Sequence, residues 1–255
     1  MTWFRHIVTV AALVFAWPAA AETPQTGTFV VSDTPIALIE DRAQAWAPTT
    51  RVDAKISWVV HVPPAYDPAR PPGIVVYISS TSSGDVPKDW DGVLDRDNLI
   101  WISARDAGND EETRRRIYDA ILALALVQKR YAYDPQRLYV AGFSGGGRTA
   151  STLMATAPYL FNGALYICGV DVIKAETPDL AARMISNRYV FMTGGGDFNH
   201  AEVKAAYKAY LKAGAMNSHL MDLKRLEHVL PAADDFAAAL DLLDAGVAAT
   251  ANPVP

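Results

Sequence analysis

The chain has 255 residues, 51% of them apolar, and a formal net charge of −5 at pH 7. This length and apolar content suit one globular domain with a large core, and the mild excess of acid argues against binding to nucleic acid or to an anionic membrane surface. The single cysteine, Cys168, excludes an intrachain disulfide and a cysteine-based zinc site. Because Cys168 lies in an apolar, strand-like run, we expect it to be a buried core thiol.

The first residues have the composition of a cleaved secretory signal peptide. Arg5 supplies a charged start, residues 7–17 form an apolar core, and residues 19–21 offer a small-residue cleavage site. The apolar core is too short to span a bilayer of about 30 Å as a helix. We therefore expect residues 1–21 to be removed. Residues 22–255 are then predicted to form a single domain that is periplasmic or secreted and not bound to the membrane, since an exported chain without disulfides suits a bacterial periplasm.

Three apolar segments precede residue 73. Residues 27–31 and 35–39 are short and are predicted to be edge strands. Residues 54–62 alternate well enough to predict a half-buried strand. The proline-rich residues 63–72 cannot form a central strand and predict a turn.

From residue 73 onward, apolar strands alternate with helices. Continuous apolar runs indicate strands covered on both faces, and apolar positions spaced three or four apart indicate helices. The predicted strands are 73–79, 99–103, the run that ends at 142, 163–168, 189–192 and 219–226, and the predicted helices are 111–131, 148–157, 178–185, 201–213 and 232–243. This alternation predicts an α/β fold with a doubly wound, mostly parallel sheet flanked by helices.

One of these strands ends in the motif Gly142-Phe-Ser-Gly-Gly146. A strand that turns this tightly into a helix forces its serine into strained backbone angles and needs small residues two positions away on each side. Both positions are glycine here. The turn would lift the hydroxyl of Ser144 clear of the sheet and present the N–H of Gly145 as one half of an oxyanion hole.

Other interpretations of the same residues are open on the motif alone. The stretch from Gly142 to Thr149 is one substitution away from a phosphate-binding P-loop, which would need lysine in place of Arg148. Gly-x-Ser-Gly-Gly also surrounds the serine of trypsin-like proteases, and a glycine-rich turn can lack chemistry altogether. The absence of that lysine and of a clear strand-ending magnesium ligand argues against a P-loop.

Two downstream residues could activate Ser144. A serine hydroxyl needs a base to take its proton, and the base needs an acid to orient it. Asp197 follows a predicted strand and three glycines, and His228 follows the last predicted strand. Both therefore lie at the carboxyl edge of a parallel sheet, where ligands meet such sheets. Their order after the serine is that of hydrolases with this turn and not that of trypsin-like proteases.

The alternatives to these two residues are weaker. Asp171, after the preceding strand, is the rival acid, and Asp197 could instead only cap the helix near Asn199. His200 lies too close to Asp197 in sequence to be the obvious base, and His219 begins a strand.

With these residues in view, the chain resembles the α/β-hydrolase superfamily. Within it, the chain looks like the compact secreted esterases related to polyhydroxybutyrate depolymerases and to feruloyl or acetyl xylan esterases. The matching stretches are Gly142-Phe-Ser-Gly-Gly146, Gly194-Gly-Gly-Asp-Phe198 and His228-Val-Leu-Pro231. The resemblance implies a catalytic triad of serine, histidine and aspartate that needs neither a cofactor nor a metal.

The chain departs from this group in the loop after its first parallel strand. Ser79-Ser-Thr-Ser-Ser83 lacks the familiar His-Gly pair, and the disulfides of the group are also missing. We expect the second oxyanion donor to be the backbone N–H of Ser80 or Thr81.

The sequence thus predicts a serine carboxylic-ester hydrolase with a small cap or none, because only residues 171–187 lie where many hydrolases insert a cap. An open site could take small-molecule or polymer-attached esters. Trp90, Trp101, Phe143 and Phe198 could line the site, although core packing is the commoner role of such residues. The alternatives are a serine peptidase or thioesterase, or a non-catalytic binding or sensing protein on the same fold.

Overall fold

The computed structural model describes residues 24–40 and 52–247, and within them eight strands form one sheet. The strands are β1 (Gly27–Asp33), β2 (Ile56–Val62), β3 (Gly73–Ile78), β4 (Leu99–Ala104), β5 (Leu138–Phe143), β6 (Gly163–Ile167), β7 (Arg188–Gly196) and β8 (Ser218–Glu227). Their order across the sheet is β1-β2-β4-β3-β5-β6-β7-β8. The pairs β1–β2 and β2–β4 are antiparallel, and the five remaining pairs are parallel. The predicted mostly parallel sheet is confirmed, whereas the predicted signal peptide lies outside the described residues.

Helices cover both faces of this sheet. They are α1 (Pro35–Ile39), α2 (Trp90–Arg96), α3 (Thr113–Arg130), α4 (Gly145–Thr156), α5 (Pro178–Ser186), α6 (His200–Ala213) and α7 (Ala233–Asp244). Buried side chains of α3, α4 and α6 belong to the core on one face, and those of α2 and α7 to the core on the other. No helix in the two described segments is long and apolar enough to cross a bilayer.

Strand β3 is apolar throughout because both of its faces are buried. Ile74 and Val76 contribute to one core, and Val75 and Tyr77 to the other, because successive side chains of a strand point to opposite faces. All six residues of the strand are buried. Full burial of each large aliphatic side chain stabilises the fold by roughly 1.5–3 kcal/mol.

The prediction of an edge strand at residues 35–39 is wrong, because these residues form helix α1. The hydroxyl of Thr34 accepts a hydrogen bond from the N–H of Ala37, at 3.3 Å, and Pro35 occupies the first turn. Both are helix-start signals that outweigh the short apolar run. The strand predicted as half-buried, β2, lies inside the sheet between β1 and β4 and is almost wholly buried.

Candidate active site

The turn between β5 and α4, residues 142–146 and called the elbow below, has the geometry that the motif predicts. Ser144 has φ 54° and ψ −120°, a positive-φ conformation outside the regions that a residue with a side chain ordinarily adopts. A Cβ atom added to Gly142 would lie 2.3 Å from the carbonyl carbon of Gly146, and one added to Gly146 would lie 1.9 Å from the carbonyl oxygen of Ile78. Only glycine fits at these two positions, so the spacing of the motif is a steric requirement.

The structure brings three of the predicted residues into one hydrogen-bonded chain. The distance between Ser144 Oγ and His228 Nε2 is 2.8 Å, and that between His228 Nδ1 and Asp197 Oδ1 is 2.7 Å. Ser144 lies after β5, Asp197 after β7 and His228 after β8, so three loops converge at the carboxyl edge of the sheet. Because an ionised carboxylate only accepts, Nδ1 carries the ring proton and Nε2 can accept the serine hydroxyl.

Asp197 is buried and is held ionised by its hydrogen bonds. Burial acts to raise the pKa of this carboxyl, but donation by Thr193 Oγ1 at 2.6 Å, by His228, and by the N–H of Asn199 at 3.0 Å outweighs it and lowers the pKa. The bond from the N–H of Asn199 is local, and it coexists with the contact to His228. The alternative that Asp197 only caps helix α6 is therefore wrong, because the N-cap residue is Asn199 and Asp197 bonds His228.

Cys168 is fully buried beside this carboxylate, which confirms the predicted core thiol. Burial raises the pKa of the Cys168 thiol, so it stays protonated. Its Sγ atom, a carboxylate oxygen of Asp197 and a ring nitrogen of His228 lie within 4.8 Å of one another. The 2.7 Å bond between Asp197 and His228 leaves no space for an ion between those two ligands, which would have to be about 3 Å apart or more.

The predicted oxyanion donors differ in their availability. The N–H of Gly145 begins α4 and therefore has no partner within the helix. The N–H of Thr81 donates to Ser79 Oγ at 3.0 Å and is occupied. Within residues 24–40 and 52–247, no group accepts a hydrogen bond from the N–H of Ser80. Of the two candidates in this loop, Ser80 is the one with a free donor.

Comparisons with known proteins agree with this architecture. The model of the prolyl oligopeptidase family matches residues 104–213, which is less than half of the chain and includes Ser144 and Asp197. No curated protein matches the chain in sequence. Among solved structures, the LpqC poly(3-hydroxybutyrate) depolymerase from Bordetella parapertussis has a TM-score of 0.60 at 15% identity, with 85% of this chain and 94% of that chain covered. The feruloyl esterase module from Clostridium thermocellum has a TM-score of 0.61 at 15% identity, with 85% and 88% covered.

This chain has the α/β-hydrolase fold. The resemblance to depolymerases and feruloyl esterases is thereby confirmed at the level of the fold. Dipeptidyl peptidase 4 from Porphyromonas gingivalis also matches, with a TM-score of 0.57 at 17% identity and 76% of this chain covered. The chain spans about a third (34%) of that peptidase and about half (52%) of a thermostable esterase.

Within this α/β-hydrolase fold, the rival residues have other partners. Asp171 pairs with Arg148 at 2.7 Å, and Arg148 also contacts Glu202, so the arginine of the suspected P-loop is held by carboxylates. His200 pairs with Asp222 at 2.8 Å. None of these pairs joins the chain of hydrogen bonds at Ser144.

The aromatic residues near the motif divide between core and surface. Trp90 and Trp101 are buried, as core packing predicts. Phe198 is 77% exposed and stacks on the ring of His228, with ring centroids 3.8 Å apart. The ring of Phe143 also lies near His228, with its centroid 5.1 Å from that of the imidazole. The expectation of core packing is therefore wrong for Phe198.

Two residues beside this site were missed from the sequence. Arg116, in α3, is buried and donates to backbone carbonyls beside the elbow. The side chain of Asn109 covers Gly145, because a Cβ atom added to that glycine would lie 2.2 Å from Asn109 Oδ1. Neither residue belongs to a motif. The sequence carries a weak signal only for Arg116, as one of three consecutive arginines at the start of a helix that has one apolar face.

Proposed function

We propose that this protein is a serine hydrolase that cleaves carboxylic esters through an acyl-enzyme intermediate. Ser144 is the nucleophile, His228 the general base and acid, and Asp197 the residue that orients and stabilises the imidazolium. The observation that carries the proposal is the unbroken chain of hydrogen bonds, 2.8 Å and 2.7 Å long, from a serine on a strained turn to a buried carboxylate.

The reaction follows from this geometry. His228 Nε2 takes the hydroxyl proton while Ser144 Oγ bonds to the ester carbonyl carbon. The oxyanion accepts hydrogen bonds from the N–H groups of Gly145 and Ser80, and the C–O bond to the alcohol then breaks as His228 returns the proton to the leaving oxygen. Water, deprotonated by His228, attacks the acyl-enzyme, and the acid leaves with Ser144 restored. Each oxyanion donor lowers the barrier by roughly 2.7–4 kcal/mol.

The surroundings of the site support an apolar acyl or aryl group in a substrate that is small or attached to a polymer. Phe198, Val229 and Leu230 are large apolar residues beside His228 that are 77%, 52% and 41% exposed. Between β6 and β7 the described chain holds one short helix, α5, so the site is not covered by an inserted domain there. An uncovered apolar rim suits an ester whose far end remains in solvent.

A serine peptidase is the second candidate, favoured by the match of residues 104–213 to the prolyl oligopeptidase family. The same triad would attack an amide, whose leaving amine needs the proton from His228 even more than an alcohol does. Kinetics with matched p-nitrophenyl esters, thioesters and peptide p-nitroanilides would separate the three activities. A higher kcat/KM on the peptides would replace esterase with peptidase.

The decisive experiment compares wild type with Ser144→Ala. Wild type should hydrolyse p-nitrophenyl acetate and butyrate, and a fluorophosphonate probe should label it at Ser144, as mapped by mass spectrometry. Ser186→Ala, which removes an exposed serine hydroxyl at the end of α5, is the matched control and should behave as wild type. A wild type that neither turns over an ester nor takes the label would support the non-catalytic binding protein.

We further propose that the protein acts in the periplasm or outside the cell, without a nucleic-acid or membrane partner. The composition of residues 1–21 and the net charge of −5 support this. Expression of the full chain in a bacterium, followed by fractionation and mass analysis, should recover a soluble periplasmic form that begins at residue 22. A full-length form in the membrane pellet would contradict the proposal.

A further inference from the structure

Arg116 is a buried cation whose partners are all backbone carbonyls. It is 5% exposed. Its Nη2 donates to the carbonyl of Ser79 at 2.8 Å, its Nε to that of Ala107 at 3.1 Å, and its Nη1 to that of Gly145 at 3.3 Å. Within residues 24–40 and 52–247, no carboxylate lies within 4 Å of this guanidinium.

Burying a cation without a carboxylate partner costs free energy on folding, which points to a role other than stability. Burial lowers the pKa of Arg116, yet a guanidinium remains charged in a protein, so its desolvation must be offset by the carbonyls alone. The neighbouring Arg115 shows the ordinary alternative, since it is partly exposed and pairs with Glu111 at 2.8 Å. An apolar side chain at position 116 would avoid the desolvation altogether.

The positions of the three carbonyls indicate that purpose. The carbonyl of Ser79 and the N–H of Ser80 belong to one planar peptide group, so a bond that holds the oxygen also sets the direction of the N–H. A cation on the oxygen polarises the group and strengthens its N–H as a donor. The carbonyl of Gly145 shares its peptide group with the N–H of Gly146, so the bond from the same guanidinium fixes the position of Gly145 without polarising the Gly145 N–H, the other predicted donor.

The third carbonyl, that of Ala107, belongs to a loop that contacts both Ser80 and Gly145. Ala107 lies in the loop after β4, two residues before Asn109. The N–H of Asn109 donates to the carbonyl of Ser80 at 3.1 Å, and its side chain covers Gly145. Arg116 therefore contacts the loop at residues 79–83, the loop after β4 and the elbow at the same time.

We propose that Arg116 is a positioning residue that aligns and polarises the Ser80 N–H of the oxyanion hole from behind and fixes Gly145, the residue of the other donor, next to it. This rests on the proposed function, since it assumes that an oxyanion forms at Ser144. It predicts that loss of the guanidinium weakens binding of the transition state more than binding of the substrate.

The test compares wild type, Arg116→Gln and Arg116→Lys on p-nitrophenyl butyrate, with rates per active site titrated by a fluorophosphonate. Arg116→Gln should lower kcat about 10- to 100-fold and change KM less than threefold, because the donors remain but lose their alignment. The affinity for a trifluoromethyl ketone, which forms an oxyanion on Ser144, should fall by the same factor as kcat. Arg116→Lys keeps the charge and one donor, so its kcat should lie between the two. Arg114→Gln is the control. It removes the same charge from the exposed side of the same helix and should change kcat less than twofold.

The outcomes separate the two proposals. If Arg116→Gln retains kcat within twofold of wild type per titrated site, the positioning role is wrong and the hydrolase proposal stands. If neither variant folds, Arg116 is a stability residue and the positioning role is likewise overturned. If wild type itself shows no turnover and no labelling, both proposals fail together.

Discussion

The ring of Phe198 lies against the imidazole of His228, with centroids 3.8 Å apart and planes 26° apart, while 77% of Phe198 remains exposed. The aromatic face shields one side of the histidine and extends the apolar surface next to Ser144. An exposed aromatic residue beside a hydrogen-bonded Ser–His pair contributes little to the core. Its effect should therefore be on substrate and not on stability.

Phe198→Ala tests this directly. We expect kcat/KM to fall about 10-fold for p-nitrophenyl esters of aromatic acids, because stacking with an aromatic group contributes about 0.5–1.5 kcal/mol beyond its buried area. The fall should be smaller for the acetate ester, which offers little surface to stack. The unfolding free energy should change by less than about 1 kcal/mol, as is usual for exposed positions. Equal losses on both esters would show that Phe198 acts by holding His228 instead.

Asp197→Asn should lower kcat by about 10⁴-fold, because an amide cannot hold the histidine in the required tautomer. The pKa of Asp197 is lowered in the folded protein, so its ionised form stabilises the fold above the unfolded-state pKa of about 3.9. This contribution is lost as pH falls through the folded-state pKa. The difference in melting temperature between wild type and Asp197→Asn should therefore shrink below about pH 4. A difference that grows with acidification would contradict the direction of this pKa change.

For Asp119 we expect the opposite dependence of stability on pH. It is 1% exposed in α3, neither carboxylate oxygen has a hydrogen-bond partner in the described segments, and Arg115 is 3.7 Å away. Burial raises the pKa of Asp119 to about 7. The folded state then holds a proton that the unfolded state releases above about pH 3.9, so stability falls as pH rises towards 7, by at most roughly 1.4 kcal/mol per pH unit.

Asp119→Asn removes that ionisation and should be more stable than wild type at pH 8, with the gain absent near pH 4. Denaturant unfolding of both proteins at the two pH values is the measurement. Asp91→Asn, an exposed carboxylate at the start of α2, serves as the control and should show no such gain. A gain of equal size at both pH values would assign the effect to packing.

Two helical glycines form a matched pair for testing the elbow. Gly146→Ala should destabilise the protein by about 2–4 kcal/mol and abolish labelling of Ser144, because the new methyl group would lie 1.9 Å from the carbonyl oxygen of Ile78. Gly92→Ala, in α2, meets nothing within 4 Å and should stabilise the protein by about 0.5–1 kcal/mol. Thermal unfolding of both variants checks the pair. If Gly146→Ala left the unfolding free energy unchanged, the backbone of the elbow would have to move enough to accommodate the methyl group.

Local rules made most of the architecture predictable. The apolar run at residues 73–79 indicated a strand covered on both faces, and β3 is buried throughout. The error at residues 35–39 arose because a five-residue apolar segment fits a strand and a helix equally well by periodicity. The cap at Thr34 and the proline after it decide for the helix, and both were visible in the sequence.

From residue 73 onward the sequence by itself determined the strands and every helix except α2, the elbow at Ser144, and the order in which Asp197 and His228 follow it. These features depend on residue spacing and on the chirality of strand connections, which act along the chain. Only the tertiary structure decided that Arg116 is buried behind the loop at residues 79–83, where it donates to the carbonyl of Ser79, and that Phe198 stacks on the ring of His228 while it remains exposed. Those outcomes depend on contacts between loops that are far apart in sequence, and no local pattern encodes which of their groups meet.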